Sequence, residues 1–280
     1  MLFIGEYRST GAADSMARPR KEAKETALKN TSASVFPASF MTAVDASAPR
    51  ASQVYTIMRR AIIEMILPPG SIINERAICE ELGVSRTPLR EALIKLNDEA
   101  LVKIVPNSGT FVSRIVLETV FEGQLVRHAL EMKLVRLAAI RMTADAERQF
   151  DFNMYQQRRL AQDCDYEQFY ELDEAFHALI AEVGSSPRVW RIVHSAKAQL
   201  DRVRRLAFPM PSHLDIILSE HDAILTGLKL HDPDRAGVAM EGHLDRVFES
   251  IRTLVSEQKD LFSAEAESTL DNYLSWLREK

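Results

Sequence analysis

Two short helical patterns meet across little more than Gly83-Val84, and that junction limits what this chain can fold into more than any other stretch. The first pattern runs from Glu75 to Leu82 and stops at Gly83, a residue suited to the C-terminus of a helix. The second begins at once. Ser85 or Thr87 can cap it, and Pro88 is tolerated in a first turn whose N–H groups have no intrahelical partner. Leu89, Ala92, Leu93 and Leu96 then recur at i, i+3, i+4 and i+7, a stripe that faces a core. Helix, short glycine-containing turn, helix is the helix-turn-helix arrangement. Ahead of it, Val54, Ile57, Met58, Ala61, Ile62 and Met65 form one helical face, which Leu67-Pro-Pro-Gly70 brings to an end. Behind it, Leu101-Val-Lys-Ile-Val105 and Thr110-Phe-Val112 flank Pro-Asn-Ser-Gly, which reads as a β-hairpin. A helix-turn-helix followed by such a hairpin is a winged helix.

The second helix carries Arg86 and Arg90 one turn apart at its N-terminal end, with Ser85 and Thr87 around them. Two arginines alone would describe a solvated surface. Within a winged helix they point to an anionic partner. A helix N-terminus offers free N–H groups and positive partial charge, which suits phosphate. Arginine is shaped to read guanine O6/N7, and hydroxyls suit the phosphates that fix register.

The net charge of −5 excludes a protein that coats nucleic acid over its whole surface. The charge is partitioned: residues 1–51 carry 7 Lys+Arg against 5 Asp+Glu, residues 52–114 carry 8 against 7, and residues 115–280 carry 20 against 28. All seven histidines lie beyond residue 127. Four regions follow: an unstructured arm over 1–51, a winged helix-turn-helix over 52–114, an all-helical domain over 115–260 and a helical extension over 261–280. In the third region, apolar spacing and caps predict helices near 116–141, 144–162, 166–183, 187–208, 213–230 and 233–258. The expected fold is mostly α, a winged helix followed by an antiparallel helical bundle. Two cysteines in no CxxC arrangement, no membrane-length apolar run and no signal-peptide pattern point to the cytoplasm.

Asp173 and His177 stand four residues apart on one predicted helix face, beside the apolar stripe of Phe169, Leu172, Phe176, Leu179 and Ile180. His221 and His243 lie on two later helices. Three imidazoles and one carboxylate suit Zn²⁺, Ni²⁺ or Mn²⁺, although spacing alone is weak evidence, since a single helical histidine is more often structural.

The segment Gly83-Val-Ser-Arg-Thr-Pro-Leu-Arg-Glu-Ala-Leu93, with Leu67-Pro-Pro-Gly70 before it and Gly109-Thr-Phe-Val112 after it, resembles the winged-helix domain of GntR-type bacterial regulators. The resemblance implies that Arg76, Ser85, Arg86, Thr87 and Arg90 touch phosphates or base edges, and that Gly109 at the wing tip approaches the minor groove. Ala100 stands where such domains usually have glycine, and Ser108 where a basic residue often precedes the wing glycine. Residues 118–258 resemble the FCD effector domain of FadR-type GntR regulators. Asp173, His177, His221 and His243 match its four metal-binding positions, whereas His128, His194, His213 and His231 match none. The resemblance implies a divalent metal that supports binding of a small carboxylate effector. Arg127 and Arg202 are candidates for the second contact to that effector, and Glu131 is typical of the first helix and structural. A homodimer on a pseudo-palindromic double-stranded operator, acting as an effector-controlled repressor, is the expected function. A metal-dependent hydrolase and a regulator with a purely structural metal are the alternatives.

Overall fold

In the winged domain most of the local signals act as read. A computed structural model describes residues 34–41 and 49–278. Most of the expected arm lies outside the described residues, but Phe36 and Phe40 within it are buried, and Arg60 sits 4.5 Å above the Phe40 ring. Helix α1 (Arg50–Ile63) buries Val54, Ile57, Met58, Ala61 and Ile62. It ends at Glu64, so Met65, in a left-handed conformation (φ 60°), leaves that stripe and packs against the bundle's second core. In α2 (Glu75–Leu82), Asn74 caps by accepting the Ala77 N–H at 3.1 Å, and Gly83 closes the helix in the left-handed region. Helix α3 (Arg86–Asp98) buries Leu89, Ala92, Leu93 and Leu96.

The wing pairs β1 (Val102–Val105) antiparallel with β2 (Gly109–Val112), Val102 opposite Val112 and Val105 opposite Gly109. The segment after the double proline adds to the other edge of β2, through Ile73 N to Thr110 O at 2.8 Å and Val112 N to Ser71 O at 2.9 Å. Ala100 keeps the bend that glycine usually makes, at φ 56°. An L-residue there costs about 1–2 kcal/mol. Ala100→Gly is therefore expected to raise stability by about 1 kcal/mol, read as a higher melting temperature.

The rest is helical: α4 (Leu117–Arg141), α5 (Ala144–Gln162), α6 (Tyr166–Gly184), α7 (Pro187–Ala196), α8 (Ala198–Ala207), α9 (His213–Lys229), α10 (Pro233–Asp245), α11 (Val247–Glu257) and α12 (Ala266–Arg278). Thr143, Asp165 and Asp232 cap α5, α6 and α10 through their side-chain oxygens. The helices expected over 187–208 and 233–258 are each divided, at Lys197 and Arg246. Neither Gly nor Pro marks the breaks. Lys197 is fully buried, with its ammonium 2.7 Å from Glu174 and 2.5 Å from Asp201, and this tertiary demand outweighs helix continuity.

Leu134, Val135, Phe150, Phe176, Ile180, Ile224, Leu228 and Met240 form one core of the bundle. A second core joins Ile115, Val120, Leu200, Val203, Ile251 and Phe262. The connection out of the wing is paired with the chain's later segment: Ile115 N donates to Leu261 O and Ser263 N to Ile115 O, both at 2.9 Å. Among the described residues no helix is long and apolar enough to cross a membrane.

Candidate functional site

Helix α3 is two-faced. Its apolar stripe is closed into the winged domain, whereas Ser85, Arg86, Thr87 and Arg90 are all exposed. Ser85 occupies the N-cap position, yet its hydroxyl makes no capping bond to the helix. Arg86 and Arg90 form no ion pair among the described residues, which leaves two guanidinium forks exposed beside the helix N-terminus. Arg76 is exposed on α2 and held by Glu80 at 2.8 Å. Gly109 is exposed in the wing at φ 118°, a conformation only glycine adopts freely.

The second constellation is buried. His177 of α6, His221 of α9 and His243 of α10 place one ring nitrogen each within 4.8 Å of the others. Each ring is held from its far side. His221 Nδ1 lies 3.0 Å from Gln157 Oε1, and His243 Nδ1 lies 2.9 Å from Glu220 Oε2. His177 Nδ1 lies 2.6 Å from Glu131 Oε2, off the ideal hydrogen-bond line. These acceptors place the ring protons on Nδ1, so the three Nε2 lone pairs face inward. His177 Nε2 and His243 Nε2 are then 3.2 Å apart with no proton assigned between them, and His221 Nε2 is buried without a hydrogen bond. Asp173 Oδ1 is also buried and unbonded, 3.7 Å from His221 Nε2, while its Oδ2 is held by Arg204. Burial, and then the neighbouring imidazoles, hold the pKa of His221 well below the usual histidine range. Burial likewise lowers His243, against the opposing pull of Glu220. Inward ring nitrogens and an orphaned carboxylate oxygen fit a divalent cation, and the N₃O donor set is borderline in character.

A family model described as bacterial regulatory proteins, gntR family, matches residues 50–112, and one described as FCD domain matches residues 124–246. The HTH-type transcriptional repressor RspR of Escherichia coli (strain K12) is 34% identical over 224 residues, covering 80% of this chain and 98% of that protein. The chain belongs to the GntR family. It is of the FadR type, with a C-terminal FCD domain. A structure described as a GntR transcriptional regulator from Rhodococcus sp. RHA1 is similar at TM-score 0.61 and 25% identity, covering 72% of this chain and 97% of that one. E. coli McbR/YncC has the same fold, at TM-score 0.62 and 19% identity over 71% of this chain and 95% of its own. RspR is a transcriptional repressor rather than an enzyme, and this GntR-family chain is a DNA-binding transcriptional regulator.

Within the FCD domain, Arg127 reaches the cluster, its Nη2 3.3 Å from His177 Nε2 and its Nε 2.6 Å from Glu131 Oε1. Arg202 does not. It is buried two helix positions away, where Nη1 donates to Ser113 O at 2.9 Å and Gln199 Oε1 at 3.0 Å. The second arginine at the cluster is Arg204, which the sequence reading missed. Residues 202 and 204 differ by about 200° around a helix, and no local pattern says which one faces inward. Gln157 was also missed, although Asn153 and Gln157 interrupt the buried stripe of α5 and mark it as more than a core face. His128 and His231 lie apart from the cluster, as does His194, whereas His213 lines the cavity beside it. That cavity is about 40 Å³, bounded by Arg127, Asp173, Arg204, His213, Glu220 and His243. A larger cleft of about 570 Å³ lies elsewhere, between α1 and the α6–α7 pair.

Proposed function

We propose that this regulator is a repressor whose operator affinity is set by a small organic acid held at a divalent metal centre in the FCD domain. The observation that carries this reading is the inward convergence of three imidazole Nε2 atoms beside the unbonded Asp173 Oδ1. Asp173, His177, His221 and His243 would hold Zn²⁺, Ni²⁺ or Mn²⁺, and the ion, when bound, supplies Lewis-acid attraction for a carboxylate. Glu131, Gln157 and Glu220 orient the rings. Arg127 and Arg204, both at the cluster, supply the cationic contacts for an anionic effector, in place of the expected Arg202. A cavity of about 40 Å³ holds an ion and a water or two, so an organic acid enters only as its mouth rearranges, where Arg246 pairs with Glu220 at 2.7 Å.

On the DNA side, Arg86 and Arg90 read base edges in the major groove, Ser85, Thr87 and Arg76 fix register on phosphates, and Gly109 brings the wing to the minor groove. A homodimer in the cytoplasm presents two such surfaces to a pseudo-palindromic operator.

His221→Ala tests the centre. The purified variant is expected to fold with unchanged helicity but without stoichiometric metal, read by elemental analysis. Full occupancy overturns the ligand assignment. Operator titrations with metal and with succinate or citrate test control: affinity that ignores every combination rejects the sensor role and leaves a structural metal.

A further inference from the structure

A line of polar contacts runs from the histidine cluster to the end of α3, its longest step the 3.5 Å approach of Glu174 to His194. Asp173 and Glu174 are consecutive on α6, and the single guanidinium of Arg204 on α8 holds both, with Nη1 2.6 Å from Glu174 Oε1 and Nη2 on Asp173 Oδ2. Glu174 Oε2 faces Lys197 Nζ at 2.7 Å and His194 Nδ1 at 3.5 Å. On the far side of that ring, His194 Nε2 is 3.2 Å from Arg59 Nη1, and the His194 carbonyl accepts Arg59 Nη2 at 3.1 Å. Arg59, on α1 of the winged domain, donates through Nε to Glu99 Oε2 at 2.9 Å. Glu99 is the C-cap of α3, and the Tyr55 hydroxyl holds its other oxygen.

The proton order along this line is determined. Arginine has no acceptor, so Arg59 donates to His194 Nε2, which leaves the ring proton on Nδ1, facing Glu174. Arg59, Glu174 and Arg204 are each at most 9% exposed, whereas the His194 side chain is 47% exposed on the wall of the 570 Å³ cleft, so water screens the His194 step more than the others. Other cross-domain contacts do not touch the cluster, among them Arg205–Glu64 at 3.6 Å. Arg60–Glu167 is exposed, while Gln199 to Ala100 O and Arg202 to Ser113 O sit at the joint.

We propose that Arg204, Glu174, His194 and Arg59 are positioning residues that carry the engagement of Asp173 to the recognition helix. This rests on Asp173 being a ligand of the proposed centre. Arg204 divides its guanidinium between two adjacent carboxylates, so a weaker hold on Asp173 strengthens its hold on Glu174. Glu174 then has less to offer His194, and the Arg59 link that ties α1 and Glu99 to the bundle loosens. Coupling of this kind needs one element with two arrangements, and the shared guanidinium is that element.

A double-mutant cycle on the full chain, stripped of metal by chelator, tests the relay through operator Kd measured by fluorescence anisotropy. Asp173→Asn is expected to shift Kd by about 5- to 150-fold in the wild-type background. In an Arg59→Met background the same change is expected to shift it by no more than about twofold, which is within the scatter of additive effects. Equal shifts in both backgrounds, or no shift in the first, overturn the proposal. Glu174→Gln replaces Asp173→Asn in the cycle if the latter does not fold, with the same two outcomes deciding. Because the cycle is metal-free, its result stands apart from a Zn²⁺ arm on the wild type. An operator Kd there that ignores Zn²⁺ rejects the sensor reading, and the cycle alone decides the relay.

Discussion

Replacing Arg86 and Arg90 together with alanine is expected to weaken specific operator binding by about 2–6 kcal/mol, on the scale of 1–3 kcal/mol for each bidentate base contact. That is about 30-fold to 10⁴-fold in Kd. The loss falls on sequence discrimination, so binding to unrelated DNA of the same length changes far less. Both side chains are exposed, and the helix they leave is held by Leu89, Ala92, Leu93 and Leu96, so circular dichroism is expected to be unchanged. Electrophoretic or anisotropy titrations against operator and scrambled DNA give the ratio. A variant that keeps the wild-type ratio rejects base readout by these two residues. Salt dependence supplies a second reading, since contacts to phosphate rather than bases appear as a reduced slope of log K against log salt.

The second large effect belongs to Glu131, which lies 2.6 Å from both Arg127 and His177 and is 2% exposed. Burial pushes its pKa up, but Arg127, followed by His177, outweighs burial and holds the carboxyl far below the usual range. Glu131→Ala leaves a buried guanidinium without its carboxylate, and removing one partner of a buried pair costs about 3–5 kcal/mol. Denaturant unfolding is the direct measurement. The same variant frees the His177 ring, and loss of such an orienting partner typically lowers metal affinity by about 10- to 100-fold. An unchanged unfolding midpoint would show that Arg127 finds another acceptor and that Glu131 is not the residue that holds it.

The winged domain was legible because its signals are local. Gly83 closes α2, Ser85 stands at the N-cap position of α3 though without a capping bond, and the turn residues of the wing specify its hairpin. The helix-to-helix register of the FCD domain was legible only in part. Asp173 and His177 share a face by helical period, but the convergence of His221 and His243 on them depends on packing across α6, α9 and α10. Sequence reading reached those two histidines through family resemblance, not through spacing. Arg204 and Gln157 stayed hidden because their roles depend on which way a helix is turned within the bundle. The breaks at Lys197 and Arg246 were hidden for a related reason: neither residue opposes a helix by itself, and the buried ion pairs of Lys197 become visible only once α6 is in place.

The pairing of Ile115 with residues 261–263 bears on the operator itself. The connection between reader and bundle is a strand-like joint bonded on its far side, not a free tether. In the two-fold dimer proposed above, readers attached this way would hold a fixed separation and a fixed angle. One inserted base pair moves a half-site by about 3.4 Å and turns it by about 35° around the duplex. A flexible tether absorbs such a change, whereas this joint does not. Operator spacing should therefore be read as strictly as operator sequence, with residues far from any DNA setting the ruler.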